Sequence, residues 1–176
     1  MEYKRKIQNR TNYRKRLMLL KSENIRLVIR RSLRGVCAQL VQYYPEGDKT
    51  LVSANSRELI KLGYKAPRRN IPTAYLVGAL IAKKSKEKSI IKAVADIGFY
   101  APIHGSVILS VIKGAKDGGL NIAIGDEAAP KQERIEGKHI ANYYEKEKGR
   151  FSKYQIDPAE LPNMFKEVKK KLIGNG

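Results

Sequence analysis

Acidic residues are scarcest where this chain begins. The stretch "YKRKIQNRTNYRKR", residues 3–16, holds seven lysines and arginines, two tyrosines and three amides, with no Asp or Glu. Such a segment repels itself and cannot join a hydrophobic core. Cysteine is nearly missing too. The single Cys37 excludes a disulfide framework and any zinc-ligand spacing, and its apolar surroundings predict a small buried hydrophobe in a reducing compartment. The longest apolar run, "AYLVGALIA" at 74–82, is far too short to span a bilayer. No apolar stretch or cleavage site follows the leading charges, so no secretory signal is expected, and the tyrosine and lysines fit a transit peptide poorly. The expected location is the cytosol, with no membrane and no small-molecule substrate involved.

Catalytic motifs are equally scarce. "HGSV" at 104–107 lacks the glycines of a nucleophile elbow, and "EGKH" at 136–139 lacks the first glycine and the Ser/Thr of a Walker loop. "GAKDGG" at 114–119 ends a helix, whereas a dinucleotide fingerprint opens one. His104 and His139 stand alone. The strongest enzymatic rival is a metal-dependent RNA-processing nuclease of α/β fold, built on Asp96 with Asp117, Asp126 and Glu127. That chemistry needs carboxylates converging at strand ends, and the first three predicted strands carry none. Asp96 is better explained as a cap or turn residue. No enzyme activity, cofactor or metal is therefore expected. Zinc-finger spacing, the aromatic signature of an RNA-recognition motif, a clear helix-turn-helix, internal repeats and low-complexity tracts are also missing.

What the chain does have is positive charge on a globular core. Its 176 residues are 42% hydrophobic, enough for one full domain with extensions. Lys and Arg number 36 against 17 Asp and Glu, a net charge of +19 that points to a polyanion, nucleic acid above all. The first 34 residues hold 12 of those cations and 2 of the acids, over half the excess.

The order of elements predicts an α/β fold: one mixed sheet with helices packed on it. "RLVIRR" and "GVCAQLVQYY" read as a hairpin joined by "SLRG", and "KTLVSA" as a third strand. "NSRELIKLG" has the Asn55/Glu58 spacing of a capping box and a stop at Gly63. Helical periodicity follows over 73–88, then a fourth strand over 89–98 and a helix ended by Gly118 and Gly119. We divide the chain into a basic arm (1–24), an α/β core (25–122) and a C-terminal extension (123–176). The extension reads as a linker and two amphipathic helices that must dock on the core or on a partner.

A long unstructured basic arm beside the hairpin cations Arg30, Arg31 and Arg34 suits folded RNA, whose irregular grooves an ordering arm can follow. Tyr13 is placed to stack on an unpaired base. The alternative is an interaction module whose C-terminal helices bind a protein while the arm is dispensable.

Several stretches resemble ribosomal protein L-eighteen of the large subunit: "NYRKRLMLLKS" at 12–22, "RLVIRRSLRGVCAQLV" at 26–41, "NIPTAYLVGALIAKK" at 70–84, "ADIG" at 95–98 and "GAKDGGLNI" at 114–122. "ERIEGKHIANYY" at 133–144 and "DPAELPNMFKEVKKKL" at 157–172 are similar to the tail of the archaeal and eukaryotic-type branch. The resemblance covers nearly the whole chain in order. It implies an archaeal source, an α/β core with a basic extension, and binding of 5S ribosomal RNA. It also implies attachment of that RNA to the 23S-type large-subunit RNA at the central protuberance, with neighbouring large-subunit proteins as partners. Tyr13–Arg16 fit the family pattern well, whereas "IQN" at 7–9 interrupts a run that relatives often fill with arginine.

On this reading Lys4, Arg5, Lys6, Arg10, Arg14, Lys15 and Arg16 neutralise phosphates. Arg30, Arg31, Ser32 and Arg34 contact RNA from the hairpin. Arg68, Arg69 and the helix starts at Asn55 and Ser106 are further candidates, because backbone N–H groups at a helix start can hold phosphate.

Overall fold

A computed structural model describes residues 3–8, 11–151, 154 and 156–174. Alternation sets the sheet. In β1 (Arg26–Arg31) and β2 (Val36–Gln42), Leu27, Ile29, Val36, Ala38 and Leu40 point to one side and are buried. The two strands pair antiparallel, with Arg26 opposite Val41 and Arg30 opposite Cys37. β3 (Lys49–Asn55) pairs antiparallel with β2 through a bulge at Leu40/Val41. β4 (Val94–Asp96) lies parallel to β1, giving the order β3-β2-β1-β4. The mixed sheet with packed helices is the predicted α/β architecture.

β4 is much shorter than the predicted run over 89–98. The preceding residues pair elsewhere: Asn121 N–H donates to Ile91 O, and Lys92 bridges to Asn121. The strand ends where Gly98 adopts a φ of +60°. β3 is an edge strand, and Lys84 and Lys88 donate to its Ser53 and Leu51 carbonyls, so its backbone does not stand open to pairing.

The helical layer covers one face. α3 (Ile71–Glu87) is capped by Asn70, whose side chain accepts from Thr73 N–H, and Pro72 sits in its first turn. All residues from Ile71 to Ala82 are buried, the mark of a central helix rather than a surface one. α4 (Val107–Asp117), capped by Ser106, crosses α3 at two glycines. A Cβ on Gly78 would overlap the Val111 carbonyl oxygen, and one on Gly114 would overlap that of Tyr75. The two backbones touch there. Tyr75 donates to Asp117 at 2.8 Å, and burial together with that carboxylate pushes its phenol well above the usual range.

The extension past residue 122 does not form two helices after a linker. It forms α5 (Gln132–Glu136), α6 (Lys138–Lys146) and α7 (Leu161–Ile173), with short 3₁₀ turns between. α5 and α6 part at Gly137, where φ is +82° and a Cβ would run into the Leu161 side chain. α7 docks on α3 through buried Leu161, Phe165, Val168 and Leu172, with the Phe165 ring 5.6 Å from that of Tyr75.

The arm differs from the unstructured segment that its charge suggested. It contains α1 (Lys4–Ile7) and α2 (Tyr13–Leu20). Asn12 caps α2 by accepting from Lys15 N–H at 3.1 Å, and a carboxylate elsewhere in the chain supplies the countercharge described below.

Candidate nucleic-acid interface

The face of the sheet turned away from α3 carries Arg26, Val28, Arg30, Cys37, Gln39 and Val41, the alternate set to the core residues. Cys37 is therefore half-buried on this face rather than in the core. Burial pushes its thiol up, and a hydrogen bond with Ser53 opposes the shift.

α2 lies over part of this face and is pinned by a chain of charges. Arg16 Nη2 donates to Asp48 Oδ1 at 2.9 Å, and Asp48 Oδ2 is 2.8 Å from Arg26 Nη2. The second of these is an ion pair without hydrogen-bond alignment, and Arg26 Nε has no partner. Arg26 Nη1 donates to Asp96 Oδ2 at 3.0 Å, and Asp96 Oδ1 accepts from Gly98 N–H. Arg26, 3% exposed, thus joins the arm, the β2–β3 turn and β4. Replacing Arg26 with Met leaves Asp96, only 12% exposed, without its cation. The expected cost is about 3–5 kcal/mol in urea unfolding. Arg16→Met, at the more exposed end, is expected to cost less than about 1 kcal/mol.

Asp96 is a turn residue, as its sequence context suggested, and also an ion-pair partner. Among the described residues no three His, Cys, Asp or Glu converge where they could hold a metal ion, so the nuclease reading gains no support. His104 is exposed in a loop, and His139 is half-buried on α6, where burial and nearby Arg134 pull its pKa down.

The basic candidates fall into two adjoining clefts. One, of about 270 Å³, is lined by Arg5, Lys15, Arg16 and Arg30 together with Thr11, Asn12 and Gln39. The other, of about 180 Å³, is lined by Arg30, Arg31, Ser32, Arg34, Asn55 and Arg57. Arg30 belongs to both. Its guanidinium donates to Ile29 O, and Gly98 leaves it room, since a Cβ there would lie 3.2 Å from Nη1.

The hairpin loop is tied together by hydrogen bonds. Ser32 N–H donates to Gly35 O, and Ser32 Oγ accepts from Arg34 N–H. Arg69 reaches it with a 3.4 Å hydrogen bond to Leu33 O, which brings Arg68 and Arg69 to the same end of the sheet. Glu58 reaches back to Asn55 N–H, but the Asn55 side chain accepts from Arg57 N–H, so half of the expected box forms, ahead of a 3₁₀ turn rather than an α-helix.

Other candidates are placed apart. Lys4, Lys6 and Arg14 are exposed on the arm helices and do not line the clefts. Tyr13 stacks on Tyr3 at 4.8 Å, so one face of its ring is taken from within the chain. Ser106 spends its hydroxyl as the α4 cap. Arg10 lies outside the described residues.

Two cations were missed. Arg57 looked like part of a helix, and Arg26 like an ordinary strand residue. The alternation that places Arg30 on the open face also places Arg26 there, and that signal was available.

Residues 1–90 match the family model of ribosomal large subunit proteins 60S L5 and 50S L18. The chain belongs to this family. It is a ribosomal protein of the large subunit, and so part of the ribonucleoprotein that carries out translation. The matched residues include the arm, the hairpin, both clefts except Asp96, Gly98 and Phe99, and all of α3. Among the described residues no helix is long and apolar enough to cross a membrane.

Proposed function

We propose that the chain is a non-enzymatic scaffold that binds 5S ribosomal RNA and helps attach it to the 23S-type RNA at the central protuberance of a cytoplasmic ribosome. Neighbouring large-subunit proteins complete its surroundings, and the resemblance of the tail supports the archaeal-type branch. The observation that carries this reading is the sharing of Arg30 between the two clefts. It makes the arm cations and the hairpin cations one continuous band across the open face of the sheet.

Cations in such a band neutralise phosphates and fix the register of the RNA, and the hydrogen-bonded hairpin sets where its arginines stand. Asp48 holds Arg16 and Asp96 holds Arg26, so these two arginines position the arm. Arg5, Lys15, Arg30, Arg31, Arg34, Arg57, Arg68 and Arg69 remain for the RNA.

The test is filter binding of the full chain to 5S RNA, with a structured RNA of similar size as competitor. Arg30→Ala/Arg34→Ala is expected to weaken binding at least tenfold and to lower the salt slope by about two, one for each phosphate left without its arginine. Deleting residues 1–16 is expected to weaken it further. Unchanged affinity in the deletion overturns the arm as an anchor and favours the interaction-module reading. Equal binding of 5S RNA and competitor removes the 5S assignment.

A further inference from the structure

Next to the basic band, the hairpin loop and residues 65–69 enclose a groove of about 760 Å³. That volume lies within the ~300–1,000 Å³ range of small-ligand sites. Its floor is apolar. Leu33, at the tip of the loop, is 85% exposed, and Ile60 is 50% exposed. Tyr154 closes one side, and its ring is held edge-on by Phe151 at 5.0 Å. Arg34, Arg68 and Arg69 stand around this floor, and among the described residues no acid lines the groove.

Phosphate contact explains the rim but not the floor. A paired RNA helix presents phosphates and sugars at its surface and keeps its base faces stacked inside. It offers nothing for an exposed leucine, isoleucine and tyrosine to cover. An unpaired nucleotide offers both parts at once: a flat base for the apolar floor and a phosphate for the arginines. An acidic peptide would also match the charge. The groove, however, is continuous with the RNA band through Arg34, which lines both.

We infer that this groove takes one unpaired nucleotide of the bound RNA, its base against Leu33, Ile60 and Tyr154 and its phosphate against Arg34, Arg68 and Arg69. The site rests on the RNA-binding reading and adds a preference that charge alone does not give.

The experiment uses the full chain at low salt with two short RNA duplexes. One is fully paired; the other carries a single bulged 2-aminopurine. The wild-type chain is expected to bind the bulged duplex about tenfold more tightly, with a change in 2-aminopurine emission. Leu33→Ser keeps the charge and alters a side chain that packs on little. It is expected to bring the preference to within about twofold and to abolish the emission change, leaving affinity for the paired duplex intact. Tyr154→Ser is expected to do the same.

Retention of the full preference by both variants overturns the site. So does a wild-type chain that binds both duplexes equally. If Leu33→Ser leaves RNA binding untouched but releases a co-purifying large-subunit protein, the groove belongs to that protein and the inference falls. Failure to bind either duplex is a different result, because it takes down the RNA reading itself.

Discussion

Raising the salt concentration from about 50 to 200 mM is expected to weaken RNA binding by this chain about 10⁴-fold, within the 10³–10⁵ range for six to ten neutralised phosphates. The figure is built on the cations gathered at the clefts and not on net charge. Of the chain's 36 Lys and Arg, most of those described line neither the clefts nor the groove. Among the described residues, nine line the clefts or the neighbouring groove and are not held there by a carboxylate, the eight named above and Lys65. Arg16 and Arg26 lie in the same place, but their charge is balanced by Asp48 and Asp96, so they release few counterions. The expected slope of log K against log salt is about −6 to −8. Filter-binding titrations at four or five salt concentrations measure it. A flat response would mean that the RNA is not held through its phosphates, and the proposed function would fail with it.

The second large effect concerns folding. Gly78→Val and Gly114→Val are each expected to destabilise the chain by at least about 3 kcal/mol, at or beyond the usual limit for overpacking. The reason is that the obstacle in each case is backbone. A Cβ at Gly78 meets the Val111 carbonyl and the Ala115 amide, and one at Gly114 meets the Tyr75 carbonyl. A side chain could rotate aside; a carbonyl inside a helix can move only if the helix moves. α3 and α4 would have to separate, and α3 also supports the sheet and α7, so the damage spreads through the core. Gly125→Val is the control, since nothing lies within 4 Å of that site and its cost is expected to stay below about 0.5 kcal/mol. Urea midpoints for the three variants decide the matter; a Gly114→Val chain as stable as the parent would show that the helices do not cross in contact.

Much of this fold was legible because local pattern and tertiary role agree. Alternation in "RLVIRR" and "VCAQLVQ" reports a sheet with one buried face, and Asn70, Ser106 and Gly119, whose φ is +100°, sit at helix ends for the chemical reasons that make them good ends. Where the sequence pattern misled, distant partners decided the outcome. β4 is short because Asn121 draws Lys92 out of line with β1. The arm is helical around Asn12, whose cap a count of charges overlooks. α5 and α6 separate at Gly137, whose φ of +82° ends the turn and whose missing side chain leaves room for Leu161.

The same holds for the interface. Arg30, Arg31 and Arg34 could be found from the hairpin alone. Arg57 joins them only through the pairing of β2 with β3, which brings Asn55 opposite Cys37. The close approach of α3 and α4 left no trace beyond two small residues in helical runs.

The docking of α7 has a consequence for the order in which the molecule matures. Phe165 and its neighbours cover a flank of α3 that leaves the translating ribosome long before they do. Until α7 is made, Tyr75 and the residues around it form a greasy strip on a nascent polypeptide already carrying its cationic front end. Such a strip invites aggregation and clumping with any polyanion nearby. Newly made chains therefore gain most from a chaperone during this interval, before the last helix closes over the strip.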